Sequence, residues 1–273
     1  MANVIPMAGL GSRFASEGYI LPKPLIPVSG KPVILNVIDR LPKADKWIFI
    51  VRKEFVEQYK IDKLIKSEIK NAIIVPVEKT TQGQASSCML AMPYLDKNEP
   101  LFIAACDNSF LYDKKRHEEL VKRKDVDAVV WTFTKNKLLE ETPKGWGWVV
   151  PDKDGITIKD MSVKVPVSKN PSNDHAVVAA FYFKKTGDFE DAYNLMVKED
   201  YRINNEFYVD SMPIFYKKLG KKSVLFDVDL YVGWGKPADL YTYQKWEYLC
   251  KNNIEPSNNK KDYLLWKKFF DSK

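Results

Sequence analysis

The feature that most constrains the fold is an apolar run that leads directly into a glycine-containing loop near residue 10. Residues 4–8 are apolar, and Gly9-Leu10-Gly11-Ser12-Arg13-Phe14 follows. A buried strand that ends in such a loop can present backbone N–H groups to a phosphate, because glycine accepts positive φ and has no Cβ to hold an anion away. The planar guanidinium of Arg13 adds donors that match phosphate oxygens. The pattern predicts a phosphate-binding loop after the first strand.

A lysine held between two prolines follows shortly after this loop. The sequence there is Pro22-Lys23-Pro24-Leu25. Proline fixes its own φ and restricts the residue before it, so the backbone on both sides of Lys23 is stiff. We therefore expect the Lys23 ammonium to occupy a defined position.

Two other phosphate motifs do not fit this segment. The dinucleotide fingerprint needs a third glycine where Phe14 stands and a helix that starts at once, whereas several prolines follow. A Walker loop closes with Gly-Lys-Ser/Thr, and Gly30-Lys31-Pro32 ends in the wrong residue.

Residues 9–34 closely resemble the signature of nucleotidylyltransferases that activate sugar 1-phosphates and related phosphomonoesters. The match is Gly-x-Gly-Ser-Arg-Phe, then Pro-Lys-Pro-Leu-Ile-Pro-Val-x-Gly-Lys-Pro-Val-Ile. The resemblance is to a divergent member of the kind found in capsule and surface-glycan pathways. It implies that Arg13 and Lys23 are catalytic. It also implies that the nucleotide is bound by Ala8, Gly9, Gly11, Ser12, Arg13 and Lys23.

The order of apolar runs predicts an α/β fold. Strand-type runs cover 47–51, 72–77, 101–105, 126–134, 177–184 and 224–232, and helical patterns cover 33–40, 54–64 and 202–219. Strands that alternate with helices pair in parallel through crossovers. We expect a Rossmann-like, mixed but mostly parallel sheet flanked by helices, with a β-hairpin over 143–158. Residues 1–240 would form the catalytic domain and 241–273 a C-terminal helical extension.

Residues 78–91 are predicted to begin a helix after the third strand, with Thr81 or Gln82 near its cap. Small residues in the first turns allow a flat base to approach the backbone, and amide groups can read its edge. The resemblance places the base-recognition loop here, with Gln82 and Gly83 as binding residues.

Asp107 directly follows the strand predicted over 101–105. Ligands of parallel sheets collect at the carboxyl ends of the strands, where a carboxylate can hold Mg²⁺ against phosphates. The resemblance places the first metal aspartate at this position. Related glycosyltransferases would have Asp-x-Asp, whereas this chain has Asp107-Asn108-Ser109.

The second metal ligand departs from the family pattern. The family ends its core with Trp-x-Asp-x-Gly-Thr-Pro-x-Asp, and the metal-binding aspartate corresponds to Gly233 here. Asp227 or Asp229 could supply the second carboxylate, with Asp229 preferred, or phosphates and water could complete the Mg²⁺ shell beside Asp107.

The acceptor site departs from the pattern at one position. Residues 161–166 align with the family's Glu-Lys-x-Pro, in which the glutamate grips sugar hydroxyls and the lysine meets the substrate phosphate. Lys164 is retained, but Val163 replaces the glutamate. The resemblance also suggests acceptor contacts from Asn205 and Glu206, for which helix capping is the alternative.

Composition narrows the class of protein. The 273 residues include 45% apolar residues, enough for a large core, and three cysteines without CxxC spacing, which argues against disulfides or a zinc site. The net charge of +7 fits an anionic small substrate as well as nucleic acid, and we expect no nucleic-acid or membrane partner. The absence of a leader-like start predicts a cytoplasmic protein. We expect His117 to be solvated in a charged helix. We expect His175 to be a loop histidine, with contact to substrate as the alternative. The terminal helices could mediate a homo-oligomer.

Together these features predict a nucleotidylyltransferase that joins an NTP and a phosphomonoester, most commonly a sugar 1-phosphate, with Mg²⁺ as cofactor. Alternatives are a cytidylyltransferase acting on a non-sugar phosphate or phosphonate, a catalytically silent nucleotide-binding homologue, and a glycosyltransferase.

Overall fold

The computed structural model describes residues 1–272. Its strands are β1 (Ala2–Met7), β2 (Pro27–Val28), β3 (Lys31–Pro32), β4 (Lys46–Arg52), β5 (Ile73–Val77), β6 (Leu101–Ala104), β7 (Asn108–Leu111), β8 (Ala128–Phe133), β9 (Gly147–Pro151), β10 (Ile158–Val163), β11 (His175–Phe183), β12 (Ser223–Asp227) and β13 (Leu230–Gly233). Its helices are α1 (Ser12–Ala15), α2 (Val33–Ile38), α3 (Lys53–Tyr59), α4 (Ile61–Glu68), α5 (Gln84–Met89), α6 (Lys114–Lys122), α7 (Leu138–Glu141), α8 (Thr186–Lys198), α9 (Met212–Lys218), α10 (Pro237–Lys251) and α11 (Lys260–Asp271).

The chain divides into two compact units. The first, which we call the sheet unit, comprises residues 1–9, 43–105 and 114–227. The second, which we call the loop unit, comprises residues 10–42, 106–113 and 228–272. The predicted division at residue 240 into a catalytic domain and an extension stays a prediction.

The sheet unit is built on one large mixed sheet. Its main path has the order β10-β9-β11-β6-β1-β4-β5, and β8 pairs with both β11 and β12. The strands β6, β1, β4 and β5 pair in parallel, whereas β11 runs antiparallel to its neighbours. The predicted α/β class with a mixed, mostly parallel sheet flanked by helices is confirmed.

Continuous apolar runs explain why the central strands are buried on both faces. Val4 lies opposite Ile48 of β4 and Ile103 of β6, and all three side chains are fully buried. Parallel strands covered on both faces are apolar throughout rather than alternating. Because these runs are continuously apolar, the strands could be predicted from the sequence.

The predicted hairpin is formed by β9 and β10. The N–H of Asp152 donates to the Thr157 carbonyl at 2.7 Å, and Gly155 in the connection has φ 75°. Trp148 of β9 is fully buried and belongs to the core.

Two predicted helices are wrong in extent. The pattern over 54–64 forms α3 and α4, which are separated at Lys60 with φ 53°. The helix expected from residue 202 starts only at Met212, because Asn204 and Asn205 both have positive φ and form a two-residue turn between paired residues Ile203 and Glu206. Asparagine tolerates this conformation, which favours tight hairpin turns. The helix-capping alternative for Asn205 and Glu206 is therefore wrong.

The single strand expected over 224–232 is also wrong. It forms β12, which pairs with β8 in the sheet unit, and β13, which pairs with β7 in the loop unit. The boundary between the units falls between Asp227 and Val228.

The loop unit contains two small ribbons and the terminal helices. The antiparallel pair β7–β13 aligns Asn108 with Gly233, and β2 pairs with β3. Helices α10 and α11 pack through buried aromatic side chains, among them Tyr243, Trp266 and Phe269. In the described part of the chain, no helix is both long enough and apolar enough to cross a bilayer.

His117 is buried, so its predicted solvated position is wrong. Its side chain lies on α6 against the rings of Trp131 and Phe226, with centroid distances of 4.8 and 5.4 Å. The charged neighbours of His117 on α6 suggested solvent, but strands distant in sequence supply the aromatic surroundings.

Burial lowers the pKa of His117 to about 4. An unfolded chain binds a proton at this residue near its ordinary pKa of about 6.5, so the residue lowers folding stability as the pH falls from about 6.5 to about 4. We expect His117→Phe to reduce the slope of unfolding free energy against pH in this range, by up to about 1.4 kcal/mol per pH unit. Urea unfolding at several pH values measures this, and equal slopes for parent and variant would contradict it.

Candidate active site

The predicted phosphate loop continues from the end of β1 into the loop unit. Ala8 is buried and Gly9 is exposed in the sheet unit, while Gly11 caps α1 with φ 64°. Ser12 and Arg13 follow on α1 and are exposed. Positive φ at Gly11 is a conformation that glycine adopts without steric cost.

Lys23 lies beside this loop. A Cβ built on Gly11 would lie 3.6 Å from the Lys23 Cβ. Lys23 begins a single 3-10 turn, Lys23–Leu25, after the extended Pro22, and the N–H of Ile26 donates to the Lys23 carbonyl at 3.2 Å. The proline-bounded turn fixes the backbone from which the lysine extends, as its sequence predicted.

Lys23 and Asp107 form the central ion pair of the loop unit. The Lys23 Nζ donates to Asp107 Oδ2 at 2.6 Å, and the side chains are only 22% and 23% exposed. Burial alone lowers the pKa of Lys23, but the Asp107 carboxylate, with a smaller contribution from Cys106, outweighs it and raises that pKa above its ordinary value. The Lys23 side chain is therefore held as a cation within the site.

A second carboxylate, that of Asp239, approaches Asp107 from the start of α10. A Cβ built on Gly235 would lie 3.0 Å from Asp107 Oδ2 and 3.7 Å from Asp239 Oδ2. Asp239 Oδ2 accepts from the N–H groups of Gly235 and Lys236, both at 3.1 Å. Burial, opposed by Lys236 and reinforced by Asp107, raises the pKa of Asp239. Sequence reasoning missed Asp239, because its proximity to Asp107 depends on the β7–β13 ribbon.

Asp239 also occupies the space beside Gly233, the position at which the family pattern has its metal aspartate. A Cβ on Gly233 would lie 3.3 Å from Asp239 Oδ2 and 3.1 Å from the Tyr231 ring. The sequence-preferred candidate, Asp229, is exposed, and its N–H donates to the Leu111 carbonyl at 2.8 Å. Its role as a ligand stays a prediction.

The Asp107 and Asp239 carboxylates fit a magnesium site that substrate oxygens would complete. Mg²⁺ is usually bound by one or two carboxylates together with phosphates and water. Across residues 1–272, no group of three or more His, Cys, Asp or Glu side chains is arranged to hold a metal ion. A protein-only metal cage is thus absent from this part of the chain.

In the sheet unit, Gly83 is enclosed by the segment around Phe207. Gly83 precedes α5 with φ 122° and ψ 175°, so the cap predicted at Thr81 or Gln82 lies one or two residues further along. The N–H of Phe207 donates to the Gln82 carbonyl at 2.8 Å, and the N–H of Ala85 donates to the Phe207 carbonyl at 3.0 Å. A Cβ on Gly83 would lie 2.6 Å from both backbone N and O of Phe207. Only glycine fits this position.

Arg202 orients the exposed side chain of Gln82. The Arg202 Nη2 donates to Gln82 Oε1 at 3.1 Å, and the guanidinium lies 4.1 Å from the centre of the Phe207 ring. The oxygen of the Gln82 amide is thus engaged, and its NH₂ group keeps donor capacity for a ligand. Glu206 packs beside Gly83, at 3.0 Å from the built Cβ, and Asn205 is exposed in the adjoining turn.

Lys164 lies beside Tyr208 and Asp210 in the sheet unit. Lys164 has φ 69°, and its Nζ donates to the Gly145 carbonyl at 3.1 Å and lies 5.6 Å from the centre of the Tyr208 ring. Burial raises the pKa of Asp210 to about 6, against the opposing charge of Lys164. Val163, which replaces the family glutamate, is buried at the end of β10.

The structure thus groups the candidate residues within each unit. In the loop unit it brings together Gly11, Lys23 and Asp107. In the sheet unit it brings Gln82 and Gly83 against Glu206. Elsewhere in the same unit it places Lys164 beside Tyr208 and Asp210. The functional roles of these residues stay predictions.

Comparison with known proteins identifies a family. A family model described as the MobA-like NTP transferase domain matches residues 3–181. The mannose-1-phosphate guanyltransferase of Debaryomyces hansenii is 27% identical over 174 residues, which is 61% of this chain and 46% of that protein. The bifunctional protein GlmU of Geobacillus thermodenitrificans is 28% identical over 154 residues, 56% of this chain and 31% of that protein. The chain thus spans less than half the length of these curated relatives.

Solved structures support the fold. The nucleoside-diphosphate-sugar pyrophosphorylase of Vibrio cholerae RC9 superposes with a TM-score of 0.71 at 21% identity, covering 88% of this chain and 98% of that chain. At this identity the likeness concerns the fold alone.

Proposed function

Because the chain belongs to the MobA-like NTP transferase domain family, we propose that it is a nucleotidylyltransferase. It transfers the nucleoside monophosphate part of an NTP to a small phosphomonoester, a sugar 1-phosphate, and releases pyrophosphate. The observation that carries this proposal is the Lys23–Asp107 ion pair at 2.6 Å beside Gly11. A fixed cation, a carboxylate and a glycine bend are the parts that phosphoryl-transfer chemistry requires.

The reaction needs no protein nucleophile. An oxygen of the acceptor phosphate attacks the α-phosphorus in line, the bond to the bridging oxygen breaks, and pyrophosphate leaves with the electron pair. In the loop unit, Arg13 and the N–H groups around Gly11 hold the leaving phosphates, and Lys23 stabilises the charge that develops at the α-phosphate. In the sheet unit, Gln82 and Gly83 bind the base, and Lys164 binds the acceptor phosphate. Asn205 and Glu206 are proposed acceptor contacts.

Magnesium is the proposed cofactor, held by Asp107 and Asp239. When bound, it would neutralise phosphate charge. The built-Cβ distances at Gly235 and Gly233 favour Asp239 over Asp229 as the second carboxylate.

Asparagine substitutions distinguish the two candidate ligands. We expect Asp239→Asn to raise the Mg²⁺ concentration needed for half-maximal NTP binding roughly 10- to 100-fold. Asparagine keeps an oxygen for the N–H groups of Gly235 and Lys236, so the start of α10 is preserved. Calorimetric titration of NTP at a series of Mg²⁺ concentrations measures the effect, and Asp229→Asn is titrated in parallel. A larger increase for Asp229→Asn would reverse the assignment.

Two assays test the function. Thermal unfolding with Mg²⁺ and each of CTP, UTP, dTTP, GTP and ATP identifies the base, since a ligand at 100 times its Kd adds about 2.7 kcal/mol of stability. Pyrophosphate release is then measured with that NTP and a panel of phosphorylated acceptors. We expect release with at least one pair. The absence of release with every pair would overturn the proposal. NTP binding without release would then indicate a silent homologue, and hydrolysis of a nucleotide sugar would indicate a glycosyltransferase.

One observation favours a second candidate, a cytidylyltransferase acting on a non-sugar phosphate or phosphonate of a surface-glycan pathway. Val163 is buried at the position where the family pattern that the sequence resembles has a glutamate, while the lysine of that pattern is kept as Lys164. Such a chain would still bind a phosphorylated acceptor but would lack the usual sugar anchor. The NTP and acceptor panels separate the two candidates. We propose that the protein acts in the cytoplasm.

A further inference from the structure

Within the Gly-Trp-Gly-Trp segment at residues 145–148, Gly147 is closely approached by the side chain of Asp210. Gly147 is buried at the first position of β9, and a Cβ built there would overlap the Oδ2 atom of Asp210. Asp210 lies in the 3-10 turn Val209–Ser211. The glycine therefore leaves the space into which the Asp210 carboxylate projects.

The Asp210 carboxylate lies close to Lys164, the residue proposed to bind the acceptor phosphate. The N–H of Lys164 donates to the Trp146 carbonyl at 2.8 Å, and its Nζ donates to the Gly145 carbonyl, so the residues around Gly147 hold both Lys164 and Asp210. The Tyr208 ring lies 5.6 Å from the Lys164 Nζ. The lysine, the carboxylate and the aromatic ring form one cluster within the sheet unit.

Asp210 has no ion-pair partner within this cluster. Within residues 1–272, its carboxylate accepts only from its own backbone N–H, and the charge of Lys164 partly offsets the cost of its burial. Withdrawing a carboxylate from water without such a partner is costly, and a group kept for packing alone would be better apolar. A hydrogen-bond donor brought by a ligand would compensate this cost.

We infer that the Asp210 carboxylate binds a hydrogen-bond donor of the acceptor substrate beside Lys164. The inference rests on the proposed function and adds a requirement on the acceptor: besides its phosphate, it carries a hydroxyl or ammonium group that Asp210 reaches. A hydroxyl and an ammonium share this donor chemistry, and they are distinguished by experiment.

Steady-state kinetics of three variants tests the inference. Asp210→Ala is expected to raise the acceptor KM roughly 10- to 100-fold, the range for hydrogen bonds to charged groups. The KM for the NTP should change less than about threefold. A general loss of structure would instead raise the KM for both substrates. Asp160→Asn, which removes an exposed carboxylate from β10 of the same unit, is the matched control and should behave as the parent.

The acceptor panel separates the two donor types. Glucose 1-phosphate, N-acetylglucosamine 1-phosphate and mannose 1-phosphate offer hydroxyl donors, and phosphoethanolamine offers an ammonium. With a hydroxyl donor, Asp210→Asn should retain part of the affinity because its amide oxygen still accepts. With an ammonium, Asp210→Asn should lose about as much as Asp210→Ala, because the attraction depends on charge.

Gly147→Ala tests the geometry without removing the acid. The new Cβ displaces the carboxylate, so the acceptor KM should rise as in Asp210→Ala. If this variant does not fold, as judged by thermal unfolding, the Asp210 variants decide. An unchanged acceptor KM in Asp210→Ala, with the parent releasing pyrophosphate, would overturn this inference alone. A parent that releases none with any NTP and acceptor would overturn the proposed function instead.

Discussion

Lys23→Ala is expected to lower kcat by about 100- to 1,000-fold, the cost of removing one fixed donor that stabilises transition-state charge. The Lys23 ammonium is held 2.6 Å from Asp107 and beside Gly11, and its pKa is raised, so it remains charged throughout the working pH range. Because the substitution removes an interaction that strengthens as charge develops, the NTP Kd should rise less than kcat falls.

Stopped-flow or coupled pyrophosphate assays under saturating NTP measure the kcat of Lys23→Ala, and calorimetry measures the NTP Kd. Lys31→Ala is the matched control, because Lys31 lies in the same unit and pairs with the exposed Asp39 at 2.9 Å. Thermal unfolding checks that the loss of the Asp107 partner has not unfolded the variant. A folded Lys23→Ala protein that turns over like the parent would contradict the proposed chemistry.

Gly83→Ala is expected to destabilise the protein by roughly 2–4 kcal/mol, the sum of overpacking and of a strained φ. The new Cβ would lie 2.6 Å from two backbone atoms of Phe207, and φ 122° disfavours any residue with a side chain. Backbone atoms cannot move aside as a flexible side chain can. Relief of the clash must separate Gln82 from Phe207, so NTP affinity should fall as well.

Urea unfolding of Gly83→Ala, with NTP titration of the folded fraction, measures both effects. Gly155→Ala is the matched control, since Gly155 also has positive φ, at 75°, but a Cβ there meets no atom within 4 Å. That variant should lose only the roughly 1–2 kcal/mol of the left-handed conformation and bind NTP normally. Equal losses of stability in the two variants would show that enclosure by Phe207 is unimportant.

The parts of the fold that sequence could predict are those set by local composition. The central strands are apolar throughout, since both of their faces are covered. The prolines on either side of Lys23 restrict the backbone there by their own geometry. The family resemblance placed Lys23 among the phosphate-binding residues and Asp107 at the metal, and in the structure the two side chains are in contact.

The predictions that failed depend on partners distant along the chain. His117 has charged neighbours on α6, but its environment is provided by Trp131 and Phe226 of two strands. Asn204 and Asn205 suit a helix cap and a tight turn equally well, and only pairing of the flanking residues selects the turn.

The same limit hid two carboxylates of the candidate site. Asp239 and Asp210 lie in segments whose local sequence shows only a helix start and a turn. Their significance arises from Asp107 and from Gly147, each more than 60 residues away in sequence.

The interleaved course of the chain has a consequence for the order of folding during synthesis. The ribbon that follows Asp107 pairs Leu111 with Leu230, so its partner strand is translated more than a hundred residues later. Contacts of such long sequence separation form late, because a large loop must first be closed. The sheet unit has all of its strands by Asp227, whereas the loop unit receives its last segment, residues 228–272, only afterwards. During synthesis, the strands of the sheet unit are therefore complete before Asp107 and Asp239 can come together.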